Sequence, residues 1–205
     1  KEIALQLAER GYNLLLVARN SYELQQVKEE IQKKYSLEVD YLVADLADPS
    51  AVNTLYDWVL AKQIDLRILV NNAGITRDTL LMRMTDEEFE EVINTNLNGV
   101  FRVLRRATKG MIKARHGRVI LIGSVVGLLG SAGQVNYSAA KSALVGMARH
   151  RPHRAHVEQR HAHADQHRDH EQARRPGHFL GQRECDEGVE AKAHLGAGRV
   201  QAHVQ

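Results

Sequence analysis

Four short apolar runs, Asn13–Val17, Val39–Val43, Arg67–Val70 and Val119–Ile122, are separated by stretches in which apolar residues recur every three or four positions. This alternation constrains the chain more than any other feature. Runs that are apolar at successive positions, rather than at every second one, belong to strands covered on both faces. The intervening stretches read as amphipathic helices, with Leu24, Val27 and Ile31 on one face and Val52, Leu55 and Val59 on another. Asp48 followed by Pro49 reads as a helix N-cap with proline in the first turn, placing a helix start just after the second run. Strand and helix in strict alternation predict an α/β fold built as a doubly wound parallel sheet.

A chain of 205 residues, 43% of them hydrophobic, can bury one sizeable core. The net charge is +3 with the signs intermixed, so a nucleic-acid partner is not expected. The apolar runs are too short to span a membrane, and a single cysteine, Cys185, cannot form an internal disulfide. Both features fit a cytoplasmic protein. The pattern changes near residue 150. Ten of the eleven histidines lie from His150 onward, among Arg, Gln, Ala and Gly, with no sustained period. The expected organisation is therefore a partial dinucleotide-binding and catalytic domain at 1–149, followed by a tail at 150–205 that is irregular or not the natural continuation of the first part. A reading-frame change near Arg149 would produce such a break, and an uninterrupted frame on resequencing would refute it. His161 and His163 suggest a metal-binding tail, but the irregular spacing and lack of cysteine partners argue against one, and no metal ligand is assigned.

In a parallel sheet, ligands bind beyond the carboxyl ends of the strands. The runs here lead into Ala18 and Arg19, into Ala44 and Asp45, into Asn71 to Gly74, and into Gly123 and Ser124. Ordinary turn chemistry explains any one of these ends; all four together suit a dinucleotide, which needs close backbone approach and polar side chains. Tyr137 and Lys141 are one helical turn apart on a stretch rich in Ala and Leu. By itself the pair describes a half-exposed helix face. An ammonium beside a phenol would also lower the phenol's pKa and make it a usable acid or base.

Asn71-Asn72-Ala73-Gly74, Ser124 after a strand, and Tyr137 with Lys141 thirteen residues later together resemble the short-chain dehydrogenase/reductase family over Lys1 to Arg149. The stretches from Asn72 to Asp78, from Leu80 to Met84, and from Arg115 through Gly127 are most similar to bacterial 3-oxoacyl-acyl carrier protein reductases. The resemblance implies a Rossmann-like fold and an NADPH-dependent reduction of a ketone, with NADH the less favoured cofactor. It assigns Tyr137 as proton donor, Lys141 as holder of the nicotinamide ribose, Ser124 as carbonyl ligand and Asn96 as holder of a proton-relay water. It further places Asp45 at the adenine amino group, Asn72 beside the adenosine ribose and Arg19 at the ribose phosphate that distinguishes NADP, and counts Leu46, Ala73 and Gly74 among the cofactor-binding residues. Tyr137 and Lys141 count among the cofactor contacts as well. The implied substrate is a small-molecule or carrier-bound ketoacyl group, Arg115 resembles a carrier-docking position, and family members are commonly homotetramers.

Against the family pattern, the first strand and glycine-rich turn should precede Lys1, and Lys1 to Arg10 looks like the helix that follows that turn. Loss of that central strand should leave its neighbours with unpaired edges. The alternatives are another carbonyl reductase or alcohol dehydrogenase of the same family, or an inactive scaffold that keeps only the fold.

Overall fold

The structure is a computed structural model that describes residues 1–149 and, for the backbone alone, residues 156–162 and 199–203. The elements follow in the order α1 (Glu2–Glu9), β1 (Asn13–Ala18), α2 (Ser21–Lys34), β2 (Val39–Val43), α3 (Pro49–Ala61), β3 (Leu66–Asn71), α4 (Asp86–Ile93), α5 (Val100–Ala114), β4 (Arg118–Ser124), α6 (Val126–Leu129), α7 (Val135–Arg149), β5 (His156–Ala162) and β6 (Arg199–His203). A 3₁₀ turn at Leu81–Arg83 precedes α4, and a π-helical turn at Asn94–Gly99 joins α4 to α5. Each of the four apolar runs is a strand. Asp48 caps α3 as its sequence predicts, accepting a hydrogen bond from the Ser50 amide at 2.7 Å with Pro49 in the first turn.

All strand pairs are parallel, and the sheet order is β2-β1-β6-β3-β4-β5. Successive residues of β1 feed opposite cores, as the period of two requires. Leu15 and Val17 pack with Val52, Leu55 and Val59 of α3 and Val103 and Met111 of α5. Leu14 and Leu16 pack with Ala4 and Leu7 of α1 and Leu24, Val27 and Ile31 of α2. Helices thus cover both faces, and because the strands are parallel the carboxyl ends of β1 to β4 open on one edge.

The expected gap at the sheet's centre is not what the structure shows. β6, drawn from the stretch expected to lack regular structure, lies between β1 and β3, with Leu15 and Leu69 both in register with Gln201. β5, from the same stretch, pairs along β4 from Arg118 to Ser124. Neither segment carries the apolar pattern that marks the other strands. A free backbone ladder beside them supplies hydrogen bonds that no sequence period announces. The remainder of the histidine-rich tail, including Cys185 and His163, lies outside the described residues.

Candidate active site

The loops after β1, β2 and β3 enclose a cleft of about 820 Å³. Arg19, Asp45, Leu46, Ala73 and Gly74 all line it, together with Thr95. The loop after β2 is held rigidly. Asp45 Oδ1 accepts from the Ala47 amide at 2.9 Å, and Arg102 of α5 donates to the Ala47 carbonyl at 3.0 Å. Behind it the π turn ends at Gly99, whose position would bring a Cβ to 2.7 Å from the Leu46 carbonyl oxygen. Only glycine lets the helix approach the loop so closely. Arg19 is exposed and forms no ion pair with a described residue.

A second cleft, of about 340 Å³, is lined by Asn72, Ile122, Gly123, Tyr137 and Lys141 and shares Gly74, Ile75 and Thr76 with the first. Ser124 ends β4, Tyr137 and Lys141 lie one turn apart on α7, and the Ser124 side chain acts to lower the pKa of the Tyr137 phenol. Lys141 is buried, its Nζ donating to the Ile122 carbonyl at 2.8 Å and lying 5.6 Å from the Tyr137 ring centre. A phenol and an ammonium therefore line one pocket, while Ser124 lines neither cleft; it follows the lining residue Gly123 at the end of β4, its Oγ accepting from the Val126 amide at 3.2 Å.

Ile75 and Thr76, which line both clefts, form the partition between them. Asn96, fully buried in the π turn, clasps Ile75 from behind: its Oδ1 accepts from the Ile75 amide and its Nδ2 donates to the Ile75 carbonyl, both at 2.8 Å. Asn96 lines neither cleft, and both ends of its side chain serve to hold the partition. On the far side, Arg77 forms two 2.8 Å hydrogen bonds with Glu91 of α4.

Comparison with known proteins decides the family. The model for short chain dehydrogenases matches residues 1–158. The chain belongs to the short-chain dehydrogenase family. Among similar proteins, the 3-oxoacyl-acyl-carrier-protein reductase FabG of Staphylococcus aureus (strain Mu50) is 43% identical over 150 residues, 73% of this chain and 61% of that protein. The reductase of the same name from Escherichia coli (strain K12) is 41% identical over 149 residues, 73% of this chain and 59% of its own length. That from Salmonella typhimurium (strain LT2) is 48% identical over 108 residues, covering 53% and 44% respectively. The chain thus spans about three fifths of the length of the first two relatives. No described helix is long and apolar enough to cross a membrane.

Within this short-chain dehydrogenase framework one expectation is corrected. The sequence reading has the lysine lowering the tyrosine's pKa. Instead Tyr137 stands above the ordinary phenol value, chiefly because it is half-buried; the Ser124 side chain pulls downward and the Asp78 carboxylate pushes upward. The lysine is the more altered group, its pKa brought down to about 8 by burial. Spacing brings the two residues together but does not reveal how much water reaches them. Sequence reasoning also passed over Gln134 and Asn136. The fully buried Asn136 donates to the Arg77 carbonyl at 3.0 Å and to the Glu88 carbonyl at 3.3 Å. An amide side chain immediately before Tyr137, at a helix start, was the available signal.

Proposed function

We propose that this chain derives from, and retains the chemical core of, an NADPH-dependent oxidoreductase that reduces a ketone to a secondary alcohol, with a 3-oxoacyl group on acyl carrier protein as substrate. The observation that carries this reading is the placing of Tyr137 and Lys141 in the second cleft, with Ser124 next to its lining residue Gly123 at the end of β4. A dinucleotide suits the large cleft: Ala73 and Gly74 keep one wall low, Asp45 offers a carboxylate to an adenine amino group, and Arg19 is a cation without an ion-pair partner among the described residues. Bound there, reduced nicotinamide would supply the hydride.

The chain's own side chains account for the rest of the reaction. Tyr137 Oη gives its proton to the ketone oxygen while the carbonyl carbon gains hydride, so the product is the neutral alcohol. Ser124 donates a hydrogen bond to the same oxygen and stabilises the charge that develops on it. At neutral pH Lys141 is largely ammonium, since its pKa of about 8 lies above 7. It would anchor the ribose beside Tyr137, and as a cation it favours release of the phenol's proton. Asn96 acts by fixing Ile75, and with it the boundary of both clefts.

The carrier-bound substrate rests on likeness to the FabG reductases of S. aureus and E. coli. The test is NADPH oxidation by the full chain, followed at 340 nm, with 3-oxoacyl carrier thioesters and with simple ketones. Faster turnover of the thioesters supports the assignment, faster turnover of simple ketones points to another carbonyl reductase, and absence of NADPH binding removes the enzymatic reading. Tyr137→Phe is expected to cut turnover by at least ~100-fold while the circular dichroism is unchanged.

A further inference from the structure

Three residues around the start of α7, Gly133, Gln134 and Asn136, reach out to the segment 77–79 instead of bonding along their own helix. In a regular helix the Gly133 carbonyl would accept from the amide four residues on, that of Tyr137. Here it accepts from the Thr79 amide at 2.9 Å. The Tyr137 amide, in the first turn of α7, turns to a side chain: Asn136 Oδ1 accepts from it at 2.7 Å.

The nitrogen of that same side chain serves two other elements. Asn136 Nδ2 donates to the Arg77 carbonyl at 3.0 Å and to the Glu88 carbonyl of α4 at 3.3 Å. These partners fix the amide's orientation, because a reversed amide would set its oxygen against two carbonyls. Asn136 is fully buried, so water cannot take over the bonds it makes. The side-chain ties of Gln134 to Asp78 and of Arg77 to Glu91 are exposed, and water competes with both.

The placing of these partners matters to the clefts. Arg77 lines the large cleft and directly follows the partition of Ile75 and Thr76, while Tyr137 lines the second cleft. Two buried asparagines therefore hold this wall, Asn96 on Ile75 and Asn136 on Arg77. Of the two, Asn136 also holds the backbone that carries the phenol.

We propose that Asn136 is a positioning residue of this site: through one buried amide it sets the place of Tyr137 in the second cleft relative to the wall at Ile75 to Arg77. The proposal rests on the reading of Tyr137 as proton donor to a ketone whose hydride comes from the neighbouring cleft, since such a transfer needs its groups held at a fixed separation. Asn136 lines neither cleft and acts only through what it holds.

The test follows the wall and the tyrosine rather than turnover, so its result is independent of whether the chain reduces ketones. Amide hydrogen exchange is measured by NMR on the full chain. In Asn136→Ala the Ile75 amide, which donates to Asn96, is expected to exchange about three- to tenfold faster relative to the buried Leu69 and Leu121 amides of β3 and β4. A residue that served only overall stability would quicken all three alike. Fluorine NMR of the chain made with 3-fluorotyrosine, with Tyr137→Phe identifying the resonance, should show Tyr137 displaced or broadened and the remaining tyrosines unmoved. Asn136→Ser, which keeps one hydroxyl donor, should recover part of both effects, and it replaces Asn136→Ala in the comparison with the parent if the alanine variant does not fold by circular dichroism. In the folded variant, an Ile75 amide that gains nothing on Leu69 and Leu121, or a Tyr137 resonance that stays in place, overturns the proposal.

Discussion

Lys141 shows at the residue scale how burial and charge work against each other. In the unfolded chain its ammonium persists to the ordinary 10.5, whereas in the fold it persists only to about 8. Between those values the unfolded chain binds the extra proton, so raising the pH through that window favours folding, and below it the fold bears the whole cost of the buried charge. The hydrogen bond to Ile122 offsets part of that cost. Lys141→Met is therefore expected to raise the unfolding free energy at pH 7 by roughly 1–3 kcal/mol. It should also flatten the rise in stability from about pH 8 towards 10.5. Urea unfolding at a series of pH values checks both, and a less stable variant at pH 7 contradicts the argument. The pairing of Tyr137 with Lys141 was legible in the sequence because it needs only helical spacing. The direction of each shift was not, because it depends on how far burial keeps water from the two groups, which helical spacing does not record.

At the scale of elements, the π turn between α4 and α5 does two jobs. Its start places Asn96 behind Ile75, and its end places Gly99 against the loop that carries Asp45 and Leu46. Extra-wide turns of this kind recur at functional sites. Gly99→Ala would set a methyl group against the Leu46 carbonyl, a contact neither backbone can relieve without moving. The expected cost is about 1–3 kcal/mol in urea unfolding. On the present functional reading, NADPH affinity should weaken too, by calorimetric titration; a variant as stable as the parent with unchanged affinity would mean that the loop yields freely. The four apolar strands, the helices between them and the Asp48 cap were all legible, since each carries a period or a capping residue. The π turn was not, because Thr95-Asn96-Leu97-Asn98 reads equally well as ordinary helix and the wider ring is imposed by packing. β5 and β6 were not, because their pairing follows from an available edge rather than from their own apolar pattern.

For the molecule as a whole, the decisive element is β6. Without it, β1 and β3 would each present an unpaired backbone edge in the middle of the sheet, beside side chains as buried as Leu15 and Leu69. Ending the chain at Ala162 is expected to convert the protein to self-associating species, visible by light scattering during size-exclusion chromatography; a monodisperse, folded monomer would show that the two edges meet without a strand between them. The same element imposes an order in time. The pairing of Asn13 with Arg199 joins residues far apart in the sequence, so the middle of the sheet closes only after the whole intervening stretch has been made. Its two halves must wait, side by side and unjoined, until that distant strand arrives, which makes the nascent protein slow to mature and dependent on protection while it does.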